Sequence, residues 1–182
     1  MSRRETILEA ALESFGASGA TTIDDVRRRS GASVGSIYHH FGGKDGIAVA
    51  LYVEILRGYQ AGVVRTLGRA PDAEAGVRAL VRHHLHWVER NPDRARFLLQ
   101  GGVAREYAGD ELKALNQDMF ATVSDWVELQ SAIRPLRREI FYAAVFGPAQ
   151  ELSRSWLGGR TRSLRRLEDE LAEAAWRAVR AD

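Results

Sequence analysis

Several features that signal particular chemistries are absent from this sequence. There is no cysteine, which excludes disulfides, iron–sulfur clusters and thiolate zinc sites. No run of about 18 apolar residues marks a membrane-spanning helix. The opening MSRRETILEA turns amphipathic at once instead of forming the hydrophobic region of a signal peptide. We therefore expect a cytoplasmic protein.

Catalytic motifs are absent as well. The sequence contains no G-x-S-x-G nucleophile elbow, no Walker loop and no dinucleotide-binding fingerprint. His83 and His86 lie three residues apart on a predicted helix, a spacing that a metal can use, but no carboxylate is placed to complete a site. We expect no enzymatic activity, no cofactor and no metal.

The net positive charge of the chain is also small. The formal net charge is +2, and only two of the 26 basic residues are lysines, Lys44 and Lys113. Bulk charge therefore does not identify a nucleic-acid-binding protein. Residues 27–44, however, contain no acidic side chain, so this segment carries a local positive potential of the kind that attracts phosphate.

Apolar residues recur at helical spacing through the whole chain, and no convincing strand-like alternation appears. The pattern predicts an all-α fold. We expect about nine helices, with approximate ranges 5–18, 22–29, 33–40, 44–67, 71–91, 93–107, 111–133, 136–157 and 163–181.

Residues 21–41 have the order of parts of a DNA-reading helix-turn-helix. Thr22 can cap one short helix, Gly31 supplies the turn, and Ser33 can cap the next helix. The leading face of that second helix is small, as a close approach to base edges requires: Val34, Gly35 and Ser36. Arg28, at the end of the first helix, is the arginine that we expect to reach DNA.

These residues resemble the TetR family of one-component transcriptional regulators. The matching motifs are ILEAALESF, TTIDDV, SGASVGSIYHHF and KD, and the resemblance covers residues 4–51. Two positions depart from the family pattern: Arg27 stands where alanine is usual, and Ala32 where valine is usual. The resemblance implies a three-helix DNA-binding domain at residues 1–45, joined by a long helix to a ligand-binding and dimerisation body at residues 46–182.

The resemblance implies roles for individual residues of the amino-terminal domain. Phosphate contacts are expected from Thr22, Tyr38 and Lys44, and groove contacts from the small residues that follow Ser33. The full predicted DNA-binding set is Thr22, Arg28, Ser33, Val34, Gly35, Ser36, Tyr38, His39, His40 and Lys44.

For the body, the resemblance implies a cavity that takes an apolar or aromatic small-molecule effector. Aromatic residues with a few polar groups are the candidates for its lining: His84, Trp87, Phe97, Gln100, Asn116, Phe120, Trp126, Tyr142 and Phe146.

The last two helices are predicted to form a four-helix bundle with their copies in a second chain. Their apolar spacing suits a helix–helix seam, with these interface candidates: Phe146, Trp156, Leu164, Leu167, Leu171, Ala174 and Ala178. The alternative is that both helices only close the core of their own chain.

The sequence thus predicts a homodimeric transcriptional regulator, a repressor that binds a palindromic operator in double-stranded DNA and is released by an effector. Two alternatives stay open from the residues alone. One is a helical enzyme or small-molecule carrier whose helix-turn-helix is incidental, and the other is a dimeric protein-interaction module. DNA binding that weakens with salt separates the regulator from both.

Overall fold

A computed structural model of the chain describes residues 2–18, 21–100 and 108–182. Within these ranges the chain forms nine helices and no strand, which confirms the predicted all-α fold. They are α1 (Arg3–Ser18), α2 (Ile23–Ser30), α3 (Val34–Phe41), α4 (Lys44–Leu67), α5 (Ala73–Arg90), α6 (Pro92–Gln100), α7 (Gly109–Glu128), α8 (Arg138–Leu157) and α9 (Glu168–Val179).

The predicted start of the last helix was wrong. A helix over residues 163–181 was expected, but α9 begins at Glu168, and Leu164 lies in the preceding turns with its side chain fully buried. The later start places the acidic residues 168–170 in the first turn, where the positive end of the helix dipole stabilises them. An earlier start would have placed Arg165 and Arg166 there instead.

One other predicted helix was too long, and the end of another lies outside the described residues. α7 ends at Glu128 instead of Ile133 because the following residues turn, with the Ile133 N–H donating to the carbonyl of Gln130 at 3.0 Å. The helix predicted over 93–107 is described as Pro92–Gln100. Residues 101–107 and the side chain of Gln100 lie outside the described residues.

The chain divides into two compact units, and the first comprises Met1–Gly58 and Asp93–Leu115. Its amino-terminal helices surround buried aliphatic side chains, namely Ile7, Leu8, Val26, Ile37 and Ile47. A second apolar cluster of this unit contains Tyr52, Val53 and Leu112. Phe15 and Phe97 pack against that cluster with their ring centroids 5.0 Å apart.

The second unit comprises Tyr59–Pro92 and Asn116–Asp182. Here α5 packs against both α8 and α9. Polar contacts follow the α5–α9 contact: Arg82 is ion-paired with Asp169 at 2.8 Å, and His86 Nε2 is hydrogen-bonded to the Glu168 carboxylate at 2.6 Å. Burying a face of α5 against two helices makes that helix the centre of the unit.

The carboxyl-terminal end of α9 is tied to the α7–α8 connection within this second unit. The Arg134 N–H donates to the carbonyl of Val179 at 3.0 Å, and the Ala181 N–H donates to that of Ala132 at 2.8 Å. The Arg134 guanidinium also donates to the carbonyl of Ala178 at 2.9 Å. These bonds satisfy carbonyl groups that the last turn of a helix leaves unpaired.

The boundary between the units falls inside α4, between Gly58 and Tyr59. By length and composition α4 could cross a membrane, and it is the single helix of the described residues that meets this test. This is weak evidence for membrane insertion, because half of its most apolar window is buried inside the protein, as in the core helix of a soluble protein.

Candidate nucleic-acid interface

The start of α2 is fixed by the side chain of Thr22. Its hydroxyl oxygen accepts a hydrogen bond from the Asp25 N–H at 3.1 Å, and the hydroxyl donates to the Asp25 carboxylate at 2.6 Å. The bond from the Thr22 hydroxyl is the main cause that lowers the pKa of Asp25; burial opposes it, and the nearby Arg28 lowers the pKa further. The predicted cap at Thr22 therefore forms, and the Thr22 side chain remains exposed.

The turn between α2 and α3 uses the predicted glycine. Gly31 adopts φ 64°, and its N–H donates to the carbonyl of Arg27 at 3.0 Å, which ends α2. A side chain at this left-handed position would be strained. Ala32 is buried in the turn, so the residue where the family usually has valine still contributes to the core of the unit.

Helix α3 begins and ends with capping bonds. The Ser33 hydroxyl accepts from the Ser36 N–H at 3.1 Å, and the N–H of Gly42, at φ 71°, donates to the carbonyl of Tyr38 at 2.8 Å. Ile37 is fully buried and fixes the inner side of the helix. These contacts fix the rotation of α3 about its own axis.

The outer side of α3 is open to solvent. On the side opposite Ile37 lie Gly35 and His39, and both are exposed. Val34 is 43% and Tyr38 51% exposed, which is unusual for side chains of this size and hydrophobicity. An exposed, small-faced helix with both ends capped can enter the major groove of DNA.

The other predicted DNA contacts surround this surface within the same unit. His40 and Lys44 are exposed, and Ser36 is half-buried. Lys44 forms no ion pair with any described residue. The Tyr38 ring lies beside Gly43, with its Cε1 3.9 Å from the position that a Cβ would occupy, an ordinary van der Waals distance.

The arginines of α2 are paired with acids, which the sequence analysis missed. Arg27 contacts Asp24 at 3.3 Å, Arg28 is bonded to Asp25, and Arg29 contacts Glu13 at 3.5 Å. Asp24 and Asp25 stand just before the acid-free segment 27–44, and Glu13 comes from α1. The spacing of three residues between Asp24 and Arg27, and between Asp25 and Arg28, was the available signal.

Pairing does not prevent Arg28 from contacting DNA. The side chain is 66% exposed, and exposed ion pairs contribute only about 0–1 kcal/mol. A phosphate can therefore take the place of Asp25. Arg27 is also exposed, so the departure from alanine at this position requires no change in the packing of α2.

Comparison with known proteins identifies the class to which this surface belongs. Residues 7–51 match the family model described as bacterial regulatory proteins, tetR family. The amino-terminal segment of the chain is therefore similar to TetR-family regulatory proteins. The matched segment contains α2, α3 and every predicted DNA contact, and the predicted family resemblance is confirmed.

Individual relatives agree with this assignment. The HTH-type transcriptional regulator BetI of Burkholderia mallei (strain NCTC 10229) is 37% identical over 82 residues, a match that covers 43% of this chain and 42% of the relative. The BetI protein of Burkholderia thailandensis matches to the same extent. The similarity therefore spans less than half the length of these relatives.

Solved structures show the same fold over nearly the whole chain. A TetR family transcription regulator from Marinobacter aquaeolei VT8 superimposes with a TM-score of 0.82 and 16% identity, covering 99% of this chain and 96% of that one. The fatty acid degradation regulator FadR from Bacillus halodurans superimposes with a TM-score of 0.80 and 16% identity, covering 97% of this chain and 95% of that one. At these identities the likeness concerns the fold alone.

In the second unit, several predicted pocket residues form one aromatic chain. Tyr59 contacts Trp87 at 5.0 Å and His84 at 5.7 Å between ring centroids. The remaining members follow at 6.4 Å (His84 to Phe146), 5.7 Å (Phe146 to Tyr142) and 4.8 Å (Tyr142 to Phe120). Tyr59 was missed because it lies in the predicted connecting helix.

His84 is held in one tautomer by its neighbours. The Ser153 hydroxyl donates to the Ala149 carbonyl at 2.8 Å, so its oxygen accepts from His84 Nε2 at 3.2 Å. His84 Nδ1 then accepts from the Tyr59 hydroxyl at 2.8 Å. Burial lowers the pKa of His84 to about 4, with help from His83 and Arg154, and burial raises the pKa of Tyr59.

The other predicted pocket residues have different surroundings. Phe97 packs in the apolar cluster of the first unit. In the second unit, Trp126 fills the space beside Gly76, and Asn116 accepts from Gln60 Nε2 at 2.8 Å. The Gln100 side chain lies outside the described residues, so its predicted role stays a prediction.

Two of the predicted dimer contacts are corrected by burial. Phe146 is 6% and Leu164 0% exposed, because both are enclosed by their own protomer and cannot present a surface to a partner. The face of α9 that packs within the protomer consists of Ala172, Ala175, Trp176 and Val179. A different face remains outside this core, with Leu167 and Leu171 half-buried and Ala174 and Ala178 exposed; Trp156 on α8 is half-buried.

Proposed function

We propose that this chain is a TetR-family regulator, a homodimeric repressor that binds a palindromic operator with one α3 helix in each half-site. The observation that carries the proposal is the exposed outer side of α3, where Val34 and Tyr38 are open to solvent and Gly35 and Ser36 add little bulk. A protein dimer with two-fold symmetry matches half-sites spaced by about 34–36 Å. Residues 1–45 are the proposed DNA-binding domain.

Each contact class has a proposed role. Thr22, Arg28, Tyr38, His40 and Lys44 contact the phosphate backbone, which positions the protein without reading sequence. Base-edge contacts come from the exposed leading face of α3, with Ser33 as the cap that orients it: Val34, Gly35, Ser36 and His39.

The proposed dimer interface is made by the outer faces of α8 and α9 in residues 46–182. On α9 the available face is formed by Leu167, Leu171, Ala174 and Ala178, about a third of a turn from the face that packs on α5. Small exposed side chains allow close approach of a second helix. The bundle would join the two DNA-binding domains of a cytoplasmic repressor.

Effector release completes the proposal. The aromatic chain from Trp87 to Phe120 and the neutral polar group His84 suit an apolar or aromatic compound. An effector that binds a second conformation more tightly shifts the population away from the DNA-binding one. The solved structures that share this fold include the ketosteroid transcriptional regulator KstR2 of Mycobacterium tuberculosis, and a ketosteroid is an apolar compound.

Selection of bound sequences from random duplex DNA tests the proposed function. With the purified full chain we expect recovery of a palindromic site whose affinity falls steeply with salt. Changes at Val34 or Ser36 should shift the selected bases, whereas Lys44→Gln should weaken all sites equally. Recovery of single, non-palindromic half-sites, or of no sequence at all, would contradict the proposal.

A further inference from the structure

An open cleft of about 440 Å³ lies between the end of α4 and the first half of α5, inside the second unit. This volume falls within the range of about 300–1,000 Å³ that small-molecule sites occupy. None of the residues that the structure places along the cleft is acidic. None of them was among the predicted pocket residues either.

One wall of the cleft is cationic. Arg65 and Arg69 line it, and neither is ion-paired with any residue in the described ranges. Two arginines of α5 do have acidic partners, because Arg78 is bonded to Glu173 and Arg82 to Asp169. Two guanidinium groups without acidic partners in the described residues, Arg65 near the end of α4 and Arg69 in the turn that follows it, can clamp one carboxylate.

His83, on α5, adds a polar group to the lining of the cleft. Its ring stacks on Tyr59 at 5.7 Å and lies over Gly62, where a Cβ would come within 2.6 Å of Nε2. The Nε2 atom is buried and has no hydrogen-bond partner, an arrangement that is costly unless something completes it. Burial lowers the pKa of His83, so the positive charge of the cleft comes from the two arginines.

The opposite wall is small and apolar. It consists of Ala70, Pro71, Ala75 and Ala79, whose side chains offer no hydrogen-bond donor or acceptor. A fully hydrated ion such as phosphate gains nothing from such a wall. A ligand with an anionic end and a hydrocarbon part is complementary to both walls at once.

We propose that this cleft is a binding site for small organic carboxylates, with the carboxylate on Arg65 and Arg69, the ring nitrogen of His83 as a third polar contact, and the hydrocarbon part on the alanine and proline wall. The binding of a carboxylate in the cleft does not require DNA. The inference rests on the proposed function only in one respect, namely that an occupied cleft would alter operator affinity.

Calorimetric titration of the full chain with octanoate, without DNA, tests the site. We expect saturable binding of octanoate, and binding of its uncharged isostere octanamide weaker on the order of tenfold or more. The double variant Arg65→Gln/Arg69→Gln should weaken octanoate binding by at least about tenfold, and His83→Phe should weaken it less. Arg160→Gln, which changes an exposed arginine elsewhere in the second unit, is the matched control and should bind as the unchanged chain does.

Several results would overturn the proposal. These are equal binding of octanoate and octanamide, binding of inorganic phosphate as tight as that of octanoate, or an unchanged affinity in the double variant. Thermal melting of each variant ensures that a loss of binding is not a loss of fold. If selection yields no operator, the titration still decides the cleft, and if octanoate binds without changing operator affinity, the site stands and its regulatory role falls.

Discussion

At the scale of single residues, the pairing of charges decides what the amino-terminal domain can offer to DNA. Three consecutive arginines would suggest a strongly basic edge, but each is paired with an acid of α1 or α2. The net field is therefore smaller than the arginine count suggests. Lys44, the side chains of α3 and an exchangeable Arg28 remain for phosphate.

Arg28→Gln tests whether that exchange takes place. We expect weaker operator binding, and a slope of log affinity against log salt concentration that is reduced by about 1, because one phosphate contact is lost. The base preference should not change. Binding measured by fluorescence anisotropy at several salt concentrations gives both quantities.

Arg27→Gln is the matched control, since Arg27 is also exposed and also paired with an acid one turn away. It is not a predicted DNA contact, so its salt slope should equal that of the unchanged protein. An equal loss of slope in both variants would show that the effect is general electrostatics and not a contact of Arg28.

The second prediction at this scale concerns the buried hydroxyl of Tyr59. Tyr59→Phe leaves His84 Nδ1 without its donor in a buried site, and an unsatisfied buried acceptor costs about 1–3 kcal/mol. We expect that loss in the free energy of unfolding measured with urea. Tyr38→Phe removes an exposed hydroxyl instead, so it should weaken DNA binding and leave stability within about 0.5 kcal/mol. Equal stability of both variants would mean that the Tyr59 bond contributes nothing.

At the scale of helices, α9 shows how one element can carry two apolar faces. Ala172, Ala175, Trp176 and Val179 are buried in the protomer. The sequence analysis identified a different stripe, the one that ends in Ala174 and Ala178, as an interface. The two stripes differ by roughly a third of a turn, and both satisfy a spacing of three and four residues.

Ala174→Arg tests the outer face of α9. A long charged side chain at the proposed interface should separate the dimer into monomers while each protomer stays folded, because Ala174 is exposed in the protomer. Sedimentation velocity measures the association state, and circular dichroism measures the helical content.

Ala121→Arg, the same substitution at an exposed alanine of α7, serves as the control. It should remain a dimer. A dimeric Ala174→Arg variant would remove α9 from the proposed interface, and unfolding of that variant would show that the outer face belongs to the core.

At the scale of the whole molecule, the buried histidine links stability to pH. The pKa of His84 is lowered from 6.5 to about 4 by burial, so the unfolded chain binds a proton at a pH where the folded chain does not. Stability should therefore fall as the pH drops below about 6.5. His83, whose pKa is also lowered by burial, acts in the same direction.

Urea unfolding at pH 7 and pH 5 measures this effect. For His84 alone the linkage predicts a loss of roughly 2 kcal/mol between the two values. The carboxylates with lowered pKa values, Asp25 and Glu173 among them, titrate below this window. In the His84→Gln variant most of this difference in the free energy of unfolding should disappear. An undiminished difference in that variant would assign the pH dependence to other groups.

The sequence by itself determined the helices and the caps of the DNA-binding segment. Thr22, Gly31 and Ser33 act through bonds to residues within four positions along the chain, so their spacing is sufficient to predict them. The range of α4 was predicted to the residue for the same reason, since the glycines before it and Gly68 after it are local signals.

Tertiary structure alone decided which apolar residues are buried and which polar residues meet. Leu164 and Phe146 look like interface residues by spacing, but other helices enclose them. Tyr59, His84 and Ser153 come from three helices, and the first and last of these residues are 94 positions apart. Arg65 of α4 and His83 of α5 line the same cleft. Periodicity reports that a helix has an apolar face, but it does not report what covers that face.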